Sequence, residues 1–132
     1  MLRVLFIGKT NQTNEIISEI LRSAFDADIE FEDPTKAFGE KGITIAPPTN
    51  LAIIDLNTSH GFGNAPDNIK IIKKNSPNIP VLVLDHHDDK KFIHPLVEAG
   101  ASGVISHTPT ELILTEAVTE LLGGNTFYDY PD

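Results

Sequence analysis

The chain of 132 residues contains no cysteine and no tryptophan, and it has one methionine and two tyrosines. Without cysteine there is neither a disulfide framework nor a thiolate metal site. Long hydrophobic runs are missing as well. The apolar stretches reach about five to six residues, far short of the roughly 20 that a bilayer-spanning helix requires. The segment from Met1 to Ile7 is apolar but has neither a basic n-region nor a small-residue cleavage site, so it reads as a buried strand and not as a signal peptide. Cytoplasm is the expected compartment. Positive charge is scarce: 10 Lys and Arg stand against 19 Asp and Glu, giving a formal net charge of −9. Such a surface repels phosphate backbones, so direct nucleic-acid binding by this chain is not expected.

What is present is a regular alternation. Five short apolar runs, Val4–Ile7, Ile29–Phe31, Leu51–Leu56, Val81–Leu84 and Val104–Ile105, are separated by amphipathic stretches. Val/Ile/Leu runs without polar alternation suit strands covered on both faces, as in a parallel sheet between helical layers. The spacing predicts a helix over 13–25 with Ile16, Ile17, Ile20, Leu21 and Ala24 on its inner face. A second is predicted over 66–75 with Ile69, Ile71 and Ile72 against the sheet. Thr108-Pro109-Thr110-Glu111 offers an N-cap Thr, a Pro at the first helical position and a capping-box Glu, and Gly123-Gly124 ends the helix that follows. Pro95 predicts that the preceding helix either starts late, near His94, or is kinked. Residues 34–50, rich in Pro and Gly, leave room for about two helical turns at most, with Ile43-Thr44-Ile45 a candidate extra strand. The whole chain, 1–132, reads as a single α/β domain. Its sheet is expected to be parallel, five-stranded and doubly wound, with about five helices, and 124–132 to be a tail or the start of a linker.

In such sheets the functional cleft lies at the carboxyl ends of the strands. That directs attention to Gly8-Lys9, Asp55, Asp85-His86-His87 and His107. Gly8-Lys9-Thr10 superficially matches the end of a phosphate-binding loop, but the Gly required five positions earlier is Arg3, inside the first strand.

Four segments together resemble a CheY-like receiver domain of the response-regulator kind, in its LuxR/NarL-type branch. They are Leu51-Ala52-Ile53-Ile54-Asp55-Leu56-Asn57, Ser76-Pro77-Asn78-Ile79-Pro80-Val81-Leu82-Val83-Leu84, Glu98-Ala99-Gly100-Ala101-Ser102-Gly103, and Glu111 to Asn125. The resemblance covers nearly the whole chain and is weakest over 34–50. It implies a flavodoxin-like three-layer sandwich and a signalling or protein-interaction module, not an enzyme. Partners would be a histidine kinase or another regulator, with self-association through the late helices around Leu114, Val118, Leu121 and Leu122. It also implies that Asp55 matches the phosphoacceptor. The other conserved roles are lost. Gly8 and Lys9 stand where an acidic pair holds Mg²⁺, Asp85 where a hydroxyl residue contacts the phosphoryl group, His107 where a Lys neutralises it, and Val104 at the aromatic switch position. Mg²⁺ wants a near-octahedral set of oxygen ligands, so Asp55 is expected to be a vestigial acceptor in a pseudo-receiver that holds no cofactor. In place of the metal, an internal charge network is expected: Lys9 countering the repulsion between Asp55 and Asp85, with His107 made more basic beside them. Two other classes compete. Asp55, Asp85, His86 and His107 are suitable ligands for a transition metal, in a metal-binding protein or a metal-dependent enzyme. The chain is alternatively a purely structural dimerisation domain.

Overall fold

A computed structural model of the chain describes residues 2–33, 49–56, 65–85 and 90–129. Six strands form one sheet: β1 (Leu2–Ile7), β2 (Ala27–Glu32), β3 (Leu51–Asp55), β4 (Val81–Leu84), β5 (Gly103–Ile105) and β6 (Phe127–Asp129). Between them run α1 (Gln12–Phe25), α2 (Ala65–Asn75), α3 (Lys90–Ala99) and α4 (Glu111–Leu122). The strand order is β2-β1-β3-β4-β5-β6, and every neighbouring pair is parallel. The doubly wound α/β architecture read from the sequence is therefore present, with a sixth strand added at the β5 edge. Residues 127–129 of the expected tail supply that strand. The expected elements within 34–48 lie outside the described residues.

Side-chain alternation along the central strands builds two cores. Leu5, Ile7, Ala52, Ile54, Val81, Val83 and Val104 face α2 and α3, meeting Ile69, Ile72, Ile93 and Leu96. Val4, Phe6, Leu51, Ile53, Leu82, Leu84 and Ile105 face α1 and α4, meeting Ile17, Leu21, Leu114 and Val118. With both faces covered, the central strands need apolar residues at every position, which is why their runs lack polar alternation. β2 lies at the sheet edge and alternates: Asp28 and Glu30 are exposed while Ala27, Ile29 and Phe31 are half-buried. Its outward charges discourage strand pairing between molecules.

Local expectations fared differently. The inner face of α1 carries Asn14, Ile17, Ser18 and Leu21, so the face is rotated from the expected set. Ile16 is 51% exposed and Ala24 is exposed. On α2 the inner residues are Ala65, Ile69 and Ile72, and Ile71 points outward. The residues separated by three or four positions set these faces, and both extra isoleucines fall off them. α3 begins at Lys90 and runs through Pro95, so the late start near His94 is incorrect. α4 is capped by Thr110, not Thr108: the Thr110 hydroxyl accepts from the Ile113 backbone N–H at 3.2 Å. Pro109 thus precedes the cap. The helix ends in a Schellman arrangement, with Asn125 N–H donating to the Glu120 carbonyl and Gly124 N–H to the Leu121 carbonyl. Gly124 takes φ +85°, a left-handed conformation that suits glycine. This turn reverses the chain and delivers β6 to the sheet.

Candidate functional site at the carboxyl ends of the strands

The chain leaves β1 toward one side of the sheet and β3 toward the other, so the topological switch point lies between these two neighbours. The register pairs Ile7 with Ile54, and the next pair outward is Gly8 beside Asp55. Asp55 is opposite Leu84 on the other side, and Asp85 follows. Asp85 continues the ladder by donating its N–H to the Ile105 carbonyl at 3.0 Å. Asp55 and Asp85 are both buried, 4% and 2% exposed. The sheet thus ends, at its centre, in two neighbouring buried acids.

The residue that engages Asp55 is one the sequence reading did not single out. Asn11 caps α1, its side chain accepting from the Asn14 N–H at 2.8 Å. That fixes Asn14 in the first turn, on the face turned to the sheet, where it is 2% exposed. Its amide nitrogen donates to Asp55 Oδ2 at 2.9 Å and to the Lys9 carbonyl at 2.8 Å. Both partners are acceptors, which settles which end of the carboxamide is nitrogen. A Cβ added at Gly8 would stand 3.0 Å from the Asp55 Cβ, 3.1 Å from Phe6 Cε1 and 3.4 Å from Asn14 Nδ2. The bare backbone at Gly8 leaves the Asp55 and Phe6 side chains uncrowded on this side. A signal for Asn14 was available: Asn14 and Ser18 are polar residues on the buried face, and Asn is a poor helix former inside a helix.

Lys9, Asp85 and His107 lie at the same end of the sheet as Asp55, being the residues that follow β1, β4 and β5. Lys9 is exposed, and its carbonyl accepts from the Asn14 amide. His107 turns to the edge of the sheet: Nε2 meets Asp129 Oδ2 at 2.7 Å and Nδ1 meets the Thr108 carbonyl at 3.1 Å. Its hydrogen bonds thus run to β6 and not to Asp55 or Asp85. The Asp129 hydrogen bond, helped by Thr108, holds the His107 pKa above its ordinary value. The sign follows from that shift. The pair stabilises the fold fully below about 6.5, the unfolded-state value, and the contribution is lost as pH rises through the higher folded value. His107 and Asp129 are 44% and 36% exposed, so solvent screening keeps the effect within about 1 kcal/mol. Asp129→Asn is expected to lower the His107 midpoint in an NMR titration toward the ordinary value. An unchanged midpoint would assign the shift to another cause.

Val104 is fully buried in the core beneath α2 and α3. His86 lies outside the described residues. Among the described residues no three His, Asp or Glu side chains gather as a metal-holding group, and no helix is long and apolar enough to cross a membrane. Leu114, Val118 and Leu121 of the late helix are core residues, with 0%, 0% and 3% exposure. Leu112 and Leu122 are its exposed apolar side chains.

The fold is that of receiver domains. The chain is similar to the isolated REC domain of RcsB from Salmonella enterica serovar Typhimurium in its apo form, with a TM-score of 0.76, 19% identity, and 97% and 92% of the two chains covered. It is similar too to a LuxR family DNA-binding response regulator from Silicibacter pomeroyi, with a TM-score of 0.70, 24% identity, and 97% and 96% covered. Among curated proteins, 80 residues are 28% identical to the glycerol metabolism activator of Pseudomonas putida. That stretch is 59% of this chain and spans about a third, 34%, of the activator's length. No family model matches the chain.

Proposed function

We propose that this chain is a signal-receiving, protein-interaction domain of the response-regulator kind, acting in the cytoplasm, in which Mg²⁺-dependent phosphorylation at Asp55 is lost. The observation that carries this reading is the environment of Asp55. It closes β3 at the switch point, the place the resemblance assigns to the phosphoacceptor. Its carboxylate is nevertheless bonded to a carboxamide and stands beside a glycine, where an added Cβ would press to 3.0 Å on the Asp55 Cβ. Of the residues that would hold Mg²⁺, only Asp55 supplies a carboxylate: Gly8 has none and Lys9 adds positive charge. The site therefore does not fit the metal, and without it the charge on a transferring phosphoryl group is poorly stabilised. The domain is read as working through protein partners, a histidine kinase or another regulator, and not as an enzyme. If it self-associates through the late helix, the contact uses Leu112 and Leu122, since Leu114 and Val118 are committed to the core.

Incubation with acetyl phosphate and Mg²⁺, followed by intact-mass spectrometry, tests this reading. No stoichiometric phosphoryl adduct is expected. A near-complete adduct that disappears in Asp55→Asn would overturn it.

A further inference from the structure

Asn14 is buried, sits in the first turn of a capped helix and spends its amide nitrogen on two acceptors from two different elements. One is the backbone of the β1–α1 loop and the other is the carboxylate that ends β3. A cation seeking Asp55 Oδ2 would meet N–H donors, which repel it, on the α1 side of the carboxylate. We propose that the Asn14 carboxamide is an internal ligand of Asp55, a built-in contact that closes the carboxylate to divalent cations and fastens the β1–α1 loop to β3 in one state.

Three features converge on this assignment. The bond is charge-assisted and buried, which makes it stronger than a surface hydrogen bond between neutral groups. The loop is fixed at both ends: Asn11 caps the helix below Asn14, and the Gly8 N–H donates to the Glu32 carbonyl at 3.1 Å. The carboxamide therefore reaches Asp55 from a frame that is already set and gives up little freedom to do so. Position 8 is also complementary, because the added Cβ would lie 3.4 Å from the Asn14 nitrogen and 3.0 Å from Asp55 Cβ. A side chain at position 8 would press on the Asp55 side chain that the Asn14 amide holds. The inference rests on the reading of Asp55 as a lost acceptor and supplies the group that holds it closed.

The test is Mn²⁺ titration of the full chain, followed by paramagnetic broadening of the backbone amide signals of Asp55 and Leu56. In the wild type, broadening at these amides should show no saturation at millimolar Mn²⁺. In Asn14→Ala it should saturate, with an apparent affinity for Mn²⁺ at least about tenfold higher, since the cation no longer competes with a hydrogen bond to a charged group. The saturable component should vanish in Asn14→Ala/Asp55→Asn. Asn14→Ser, too short to bridge the loop and Asp55, serves if the Ala variant does not fold. Identical broadening in wild type and both Asn14 variants would overturn the proposal. That failure is separable from failure of the functional reading, which the phosphoryl adduct on wild-type protein decides.

Discussion

Gly8→Asp, which restores an acid at the first position of the missing pair, is expected to destabilise the protein by about 2–4 kcal/mol in the absence of metal. Gly8 does not adopt positive φ, so the backbone tolerates a side chain and the cost comes from packing and charge. The new Cβ meets the Asp55 Cβ at 3.0 Å. That atom sits on a paired strand and cannot swing away as the tip of a flexible side chain would. Overpacking of this kind costs about 1–3 kcal/mol. The second carboxylate then adds repulsion against Asp55, which is buried. Gly8→Ala isolates the steric share and should show the smaller loss. Urea unfolding in the presence of EDTA measures both. A Gly8→Asp variant as stable as the wild type would mean that the loop relaxes freely around position 8.

Phe6→Ala should cost still more, about 3–5 kcal/mol. Phe6 is fully buried on the central strand β1 and packs on Phe31 of β2, with ring centroids 4.9 Å apart and planes tilted by 37°. The lost ring leaves a cavity between α1 and the sheet, and this region collapses poorly because backbone ladders fix its floor. Domains of this size are stable by about 5–15 kcal/mol, so the variant forfeits at least about a fifth of that margin. Calorimetry should show a large fall in Tm, and a change within experimental error would contradict the packing. Phe6 Cε1 lies 3.1 Å from the Gly8 Cβ direction, so a second expectation follows. Gly8→Ala should be better tolerated beside Phe6→Leu than beside the native ring, a coupling that a double-mutant cycle reads directly.

The fold was legible in the sequence wherever burial on both faces forces an unbroken apolar run. Val4–Ile7, Leu51–Asp55 and Val81–Leu84 declare their strands because no position along them can be polar until the sheet ends. β6 escaped because it lies at an edge, has three residues and exposes Tyr128 between half-buried neighbours. A run of that length carries no period. The helix faces were misplaced by one residue type: Ile16 and Ile71 are apolar but exposed, whereas Asn14 and Ser18 are polar but buried. Hydrophobicity alone ranks those four residues in the wrong order. For the site, the topology rule brought Gly8, Asp55, Asp85 and His107 to one end of the sheet from sequence alone. What it could not deliver was partner choice. Which donor reaches Asp55 depends on the first turn of α1, and which acid meets His107 depends on a strand that arrives after α4.

The uniform direction of the six strands gives the molecule a polarity from end to end. Leu2 enters at one pole, and Asp129 completes β6 at the other, beside His107. Six residues of strand separate the poles by about 20 Å. Leu2 is therefore far from Asp55, while Asp129 lies at the same pole as Asp55. For labelling the two poles are not equivalent: a probe on Leu2 leaves the acidic pole clear, and one on Asp129 crowds it.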